Sequence, residues 1–502
     1  MTLRRLAATL GLAAVIAAPA WAQPGGPNRF QTQPPATRPA TTPNGRPINE
    51  RHERIKTEAQ AAYQKGDYQH TLTLMEGVLK EAPRDDVALY LRGSARVEIG
   101  RRDGNAKLVR DGVADARQAI TVKPQDNAIY YLPYLYGMAS LAQLEQRPEH
   151  AEVAIKVGEG IVTHPSVKAE DKANIHYQMG VAHMILKDPA SSAKDYEQAL
   201  RMSPNHLGAL MALADAYTKA GDAAKAENAY DRATTALPKN ALVFNNRGSF
   251  RQSRGDVNGA VDDFTKAIEL DPTFGVAYTN RGFALMTAGN LNAAENDFTA
   301  SLNANPNQDS VYSFRGAARL GQGKVDSAIA DFTQLIERSP KNSVAWSDLG
   351  FARFFARDYK GASQAFDQAI GLNQNMKYLN PWRYWSLTLG GAPEDKVKEF
   401  GADVGSRPKD HDWVDGLAAY ATGNLTHDEL VSWADDKNPK LKQEQLCEAY
   451  YFQGLKLAQE GKQKESEEAF EKAIATNARH LSSYRGSQFA LSKFSESGKL
   501  RK

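Results

Sequence analysis

Residues 241–274 read ALVFNNRGSFRQSRGDVNGAVDDFTKAIELDPTF, and residues 275–308 read GVAYTNRGFALMTAGNLNAAENDFTASLNANPNQ. Laid one over the other, the two stretches share an arginine (Arg247, Arg281), a glycine beside it (Gly248, Gly282), a second glycine (Gly255, Gly289), an alanine (Ala260, Ala294), an Asp-Phe pair (Asp263-Phe264, Asp297-Phe298) and a proline (Pro272, Pro306). The step is 34 residues, and it extends in both directions: Pro204, Pro238, Pro272, Pro306 and Pro340 keep it, as do Tyr196, Tyr230, Phe264, Phe298, Phe332 and Phe366. Ala226 to Ala362 and Gly221 to Gly323 form further series in the same register.

Each unit has the composition of two antiparallel helices. The helices approach closely only where small residues meet, which Gly248 and Ala260 provide, and Phe264 one turn further on fills the groove between them. Gly255 falls in the connecting turn, where a residue without a side chain accepts backbone angles that others resist. Pro272 ends the second helix. Such a pair has an apolar face left over, so neighbouring pairs must stack, and the fold expected is all-α and solenoidal.

A 34-residue period with these marks resembles the tetratricopeptide repeat (TPR) family. The resemblance implies a right-handed superhelix of helix-turn-helix pairs whose concave side, lined by the first helices, receives protein or peptide partners. With the terminal proline numbered 32, the regular units start at Ala173 and run to Gln374, giving a regular array over 166–375. Residues 50–165 read as degenerate units: Gly66 and Pro83 fit the first, and the second, with Gly93 and Pro124, carries seven residues too many, placed at about Asp103 to Val109. About nine units precede Asn375.

Beyond Asn375 the register fails and Trp382, Trp385, Trp413 and Trp433 appear together, so 376–446 reads as an irregular helical insert. Breaks are expected at Gly390-Gly391, Arg407-Pro408 and Gly423-Asn424. A last repeat-like pair, Cys447 to Ala478, carries Gly454, Gly461, Phe470 and Ala473, and a helix from His480 to Phe494 caps it; together they make up 447–495. The residues Tyr378-Leu379-Asn380-Pro381-Trp382-Arg383-Tyr384-Trp385, Trp413, Gly423-Asn424-Leu425 and Glu448-Ala449-Tyr450-Tyr451-Phe452-Gln453-Gly454 resemble the NlpI family of bacterial lipoprotein adaptors over about a quarter of the chain. That resemblance implies a periplasmic scaffold that brings cell-wall hydrolases and a protease together. The anchoring cysteine of that family is absent here, and the repeat array is longer.

At the N-terminus, Arg4-Arg5, an apolar run from Leu6 to Ala18 and Ala20-Trp21-Ala22 read as a signal peptide over 1–22, cleaved after Ala22. With no cysteine at that point, the expected product is a periplasmic protein and not a lipoprotein. Ten of the 25 residues from Gln23 to Pro47 are Pro or Gly, so 23–49 reads as a disordered linker. Lys plus Arg number 62 and Asp plus Glu 59, a charge of +3 that becomes +1 without Arg4 and Arg5. That balance offers no footprint for nucleic acid, and no segment approaches the roughly 20 apolar residues of a membrane span.

The single cysteine, Cys447, excludes an internal disulfide and a thiolate metal cage. It lies in a helix without an adjacent base and reads as a structural thiol. His176 and His183 share a helix face at positions held by Leu210 and Tyr217 in the next unit, and read as packing residues. No zinc-protease motif, phosphate loop or nucleophile elbow occurs. The chain is therefore read as no enzyme, with no catalytic residue, metal or cofactor.

Two features remain. An arginine at position 7 is expected to pair with the aspartate at position 23: Arg247 with Asp263, Arg281 with Asp297, Arg315 with Asp331. Units with Leu213 and Leu349 lose the aspartate too, having Ala229 and Ala365, whereas the Met179 unit keeps Asp195. The other feature is the concave face, to which the resemblance assigns positions 2, 5, 6, 9, 12 and 13 of the first helices. Asn245, Asn246, Asn280, Phe283, Phe314, Phe351, Phe354 and Phe355 are the candidate partner-binding residues there. Amides can bond an extended backbone and rings offer rigid apolar contact. Lacking Lys and Arg, this set holds no terminal carboxylate, so an internal segment or a folded surface is expected. Alternatively the tryptophan-rich insert covers Phe351, Phe354 and Phe355 and leaves the other positions. A non-catalytic scaffold is the reading preferred, with a self-associating envelope spacer, a homo-oligomer, as its alternative.

Overall fold

The computed structural model describes residues 50–123, 128–165, 167–405, 411–435, 437–479 and 481–497. The expected signal peptide and linker, together with Pro124 and Arg407-Pro408, lie outside them. The described residues hold 25 α-helices and no strand, and they divide into two compact units, 50–250 and 251–497.

In the first unit the helices are α1 Glu50–Lys65, α2 Tyr68–Glu81, α3 Asp86–Arg102, α4 Ala106–Val122, α5 Tyr131–Leu144, α6 Glu149–Val162, α7 Ala169–Ile185, α8 Pro189–Met202, α9 Leu207–Lys219 and α10 Ala223–Ala236, followed by α11 Ala241–Ser253. The second unit has α12 Val257–Leu270, α13 Gly275–Thr287, α14 Leu291–Ala304, α15 Asp309–Gly321, α16 Val325–Arg338, α17 Ser343–Phe355 and α18 Tyr359–Leu372. It continues with α19 Asn380–Leu389, α20 Glu394–Val404, α21 Trp413–Ala421, α22 His427–Ser432, α23 Pro439–Gln459, α24 Gln463–Ala475 and α25 Ser482–Ser497.

The regular units are built as their small residues require. A methyl group added at Gly282 would meet Phe298 Cε1 at 2.9 Å, at Gly316 Phe332 Cε1 at 2.7 Å, and at Gly350 Phe366 Cε1 at 2.5 Å. Tyr196 stands equally close to Gly180, and Phe470 to Gly454. Each ring is wholly or almost wholly buried. The turns between paired helices pass through positive φ at Gly221, Gly255 and Gly289, and the next residue, Asp222, Asp256 or Asn290, caps the following helix with its side chain. Lys187 and Arg357 adopt the same left-handed conformation without being glycine.

The seven additional residues of the second repeat do not form a loop. Both helices lengthen instead: α3 and α4 are each 17 residues, where α13 and α14 are 13 and 14. In the last pair the first helix begins well before Cys447, at Pro439, with Asn438 as its cap.

The position-23 carboxylates are buried and held by guanidinium groups. Arg281 makes two parallel bonds of 2.8 Å to Asp297, and Arg315 grips Asp331 in the same way. A second arginine at position 11 joins in: Arg319 reaches Asp331 at 2.9 Å, and Arg251 reaches Asp263 at 2.9 Å. Arg247 bonds Asp231 and Thr234, both within the first unit. The degenerate second unit has the same rung, with Arg92 and Arg96 on Asp115, lengthened in sequence by the seven residues. Where Met179 replaces the arginine, His176 Nδ1 and His183 Nε2 lie 2.9 and 3.5 Å from Asp195.

Asp297 is 7% exposed and Arg281 21%, so truncating one partner strands a largely desolvated charge. Arg281→Ala and Asp297→Ala should each cost about 2 to 4 kcal/mol, and the double-mutant cycle should show strong coupling. Denaturant titrations that added without coupling would refute the rung as a structural unit.

Candidate partner-binding face

The eight candidate residues are not equally accessible. Asn245 is buried, and its Nδ2 donates to Oδ1 of the half-buried Asn246 at 3.4 Å. In the second unit Asn280 is buried, and Phe314 is buried against Phe298, ring centres 5.7 Å apart. Phe283 is half-buried, tilted against Phe314 at 6.1 Å.

Phe351, Phe354 and Phe355 on α17 turn toward the C-terminal helices. Trp382 of α19 meets Phe351 edge-on at 5.0 Å and Phe354 at 5.3 Å, and stacks on Tyr451 of α23 at 5.0 Å. Phe355 stacks on Phe489 of α25, centres 5.1 Å apart and planes 16° from parallel. Their area is spent inside the chain. Of the eight candidates, Asn246 and Phe283 are thus the half-buried ones that the C-terminal helices do not cover.

One residue of this face was missed in the set. Asp348 occupies position 6 of its unit, the position of Asn246 and Asn280, and is 8% exposed. Ser313 Oγ donates to its Oδ2 at 3.3 Å. Burial pushes its carboxyl up to about 7, against the Ser313 bond and the positive charge of Arg485 on α25. Position within the repeat was the signal that would have found it; Arg485 lies 137 residues away in sequence and gave none.

Elsewhere the reactive groups are packed or paired. Cys447 is buried beside Ser483, whose hydroxyl donates to the sulfur at 3.6 Å, and burial pushes the thiol up to about 11. It is protonated at neutral pH. Among the described residues no group of three or more His, Cys, Asp and Glu side chains could hold a metal ion, and no helix is long and apolar enough to cross a membrane.

Family models for the tetratricopeptide repeat match residues 183–245, 279–343 and 315–377. These stretches are tetratricopeptide repeats, and the architecture is that of an all-α repeat solenoid. Similar solved structures include pilF of Pseudomonas aeruginosa, at 20% identity over 41% of this chain and 95% of that one, TM-score 0.36. PilW, a type IV pilus biogenesis factor, is 22% identical over 40% of this chain and 92% of that one, also at 0.36. A tetratricopeptide repeat protein of Parabacteroides merdae is 17% identical over 54% and 96%, again at 0.36. No curated protein matches the chain.

The raised carboxyl of Asp348 fixes a pH dependence. The folded state keeps the proton between the ordinary value of 3.8 and about 7, so ionisation destabilises the fold progressively as pH rises through that window. Asp348→Asn escapes this cost. Its stability relative to the native chain should improve by about 2 kcal/mol between pH 5 and pH 8. Equal differences at the two pH values in chemical denaturation would contradict the assignment.

Proposed function

We propose that this chain is a non-catalytic periplasmic adaptor that gathers envelope proteins on the first helices of its repeats. The observation that carries the reading is the array itself: stacked tetratricopeptide repeats form a scaffold for protein–protein interaction. The export reading is supported by Arg4-Arg5, the following apolar run and Ala20-Trp21-Ala22. Cell-wall hydrolases or a protease are the partners proposed, on the likeness of the segments around Trp382 and Tyr451 to the NlpI family of adaptors. Phe283 is the candidate contact of the second unit, being the half-buried ring of the set that the C-terminal helices do not cover.

Two measurements test this. N-terminal sequencing of the chain purified from its native periplasm should begin at Gln23; a product that begins at Met1, or one retained in salt-washed membranes, would defeat the export reading. Affinity capture from the same extract should recover envelope proteins. Phe283→Ala should weaken that capture several-fold while moving the thermal melt little, since alanine removes a ring that is only partly buried. Undiminished capture would move the interface away from α13.

A further inference from the structure

The C-terminal helix α25 lies against two different surfaces. One flank packs on the last repeat-like pair: a methyl at Gly486 would sit 2.6 Å from the Tyr451 ring, and Ser483 bonds Cys447. Its other flank lies on α17. There Phe489 stacks on Phe355 and packs against the core cluster containing Leu320, Leu349 and Ala352. Arg485, one turn earlier on the same face, supplies the positive charge that acts on Asp348.

These contacts fall on positions that the adaptor reading assigns to partners. Asp348 and Phe355 are positions 6 and 13 of their unit, and Ser313, which bonds Asp348, is position 5 of the unit before. The face thus combines a recessed carboxylate with an aromatic ring about two turns away, which Phe489 covers. Its resident segment answers with a cation and a ring one turn apart. Burial works against the charges of both Asp348 and Arg485, so the pairing specifies which side chain fits more than it fastens the helix. An equivalent segment would offer this flank the same two contacts, a cation toward Asp348 and a ring on Phe355.

We propose that the face formed by α15 and α17 is a docking groove for a partner protein's helix bearing a basic side chain and, one turn later, an aromatic ring, with α25 as the occupant it displaces. The proposal rests on the adaptor reading and narrows it to one groove and one ligand chemistry. Helix-in-groove recognition of this kind reads anchors at i and i+4.

The probe is a fluorescent synthetic peptide of residues 482–497, SSYRGSQFALSKFSES, used with the full chain. In the native protein α25 competes for the groove; in the Arg485→Ala, Phe489→Ala double variant it does so weakly. Fluorescence anisotropy should show the peptide binding the double variant at least about tenfold more tightly than the native chain. A peptide carrying the same two alanines should bind it about tenfold more weakly than the unsubstituted peptide. Equal affinity of the two chains, or of the two peptides, would overturn the proposal. Should the double variant fail to fold, excess peptide added to an isotopically labelled native chain should speed hydrogen exchange across α25, and unchanged exchange would overturn it equally. A dimer of the native chain that the peptide dissolves would assign the groove to a second copy and refute a foreign partner. Absence of any captured envelope protein would defeat the adaptor reading alone, since it leaves these peptide affinities untouched.

Discussion

The contact on which this structure depends is an aromatic ring laid directly over a glycine. At Gly282, Gly316 and Gly350 the partner ring stands where a Cβ would have to go, and the ring is buried by that approach. The paired helices can then close to within the reach of one side chain, and Ala294, Ala328 and Ala362, all without exposed surface, complete the seam. Because the interior is packed without spare volume, one added methyl must push the ring or separate the helices. The 34-residue step is the sequence trace of this one contact.

A tight seam leaves little room for polar groups, and the carboxylates beside it are paired. Asp297 and Asp331 sit beside it with forked arginines, and Arg319 also bonds Glu295, whose carboxyl is held down to about 2 by Lys324, Arg319 and Gln322 despite its burial. The Met179 unit obeys the same requirement with different chemistry. Its Asp195 has two histidines in place of the fork. The histidines that looked like packing residues are the substitutes for an arginine.

At the C-terminal end the regular pattern is closed by aromatic packing around Trp382, which touches rings from α17 and α23 at once. The insert shares its core with the last regular unit. This sharing withdraws Phe351, Phe354 and Phe355 from the face they were expected to supply. Beside them the Asp348 carboxylate is buried, with the positive charge of Arg485 on α25 acting on it.

Periodicity by itself determined the all-α fold, the helix pairing, the turn glycines and the expectation of a ladder, because each follows from contacts between residues at fixed offsets inside one 34-residue unit. Arg281 and Asp297 were legible for that reason. Tertiary structure alone decided how the seven additional residues lengthen α3 and α4, since a longer helix and a loop have the same residue count. It also decided which of the candidate residues are buried. Asn280 and Phe314 occupy the positions expected of contact residues, yet they are buried by neighbours whose distance a repeat offset does not state. Phe489 reaches Phe355, and Arg485 acts on Asp348, across more than 130 residues of chain. No periodic signal links them, because burial of a face depends on what folds back over it, and that is settled only when the whole unit packs.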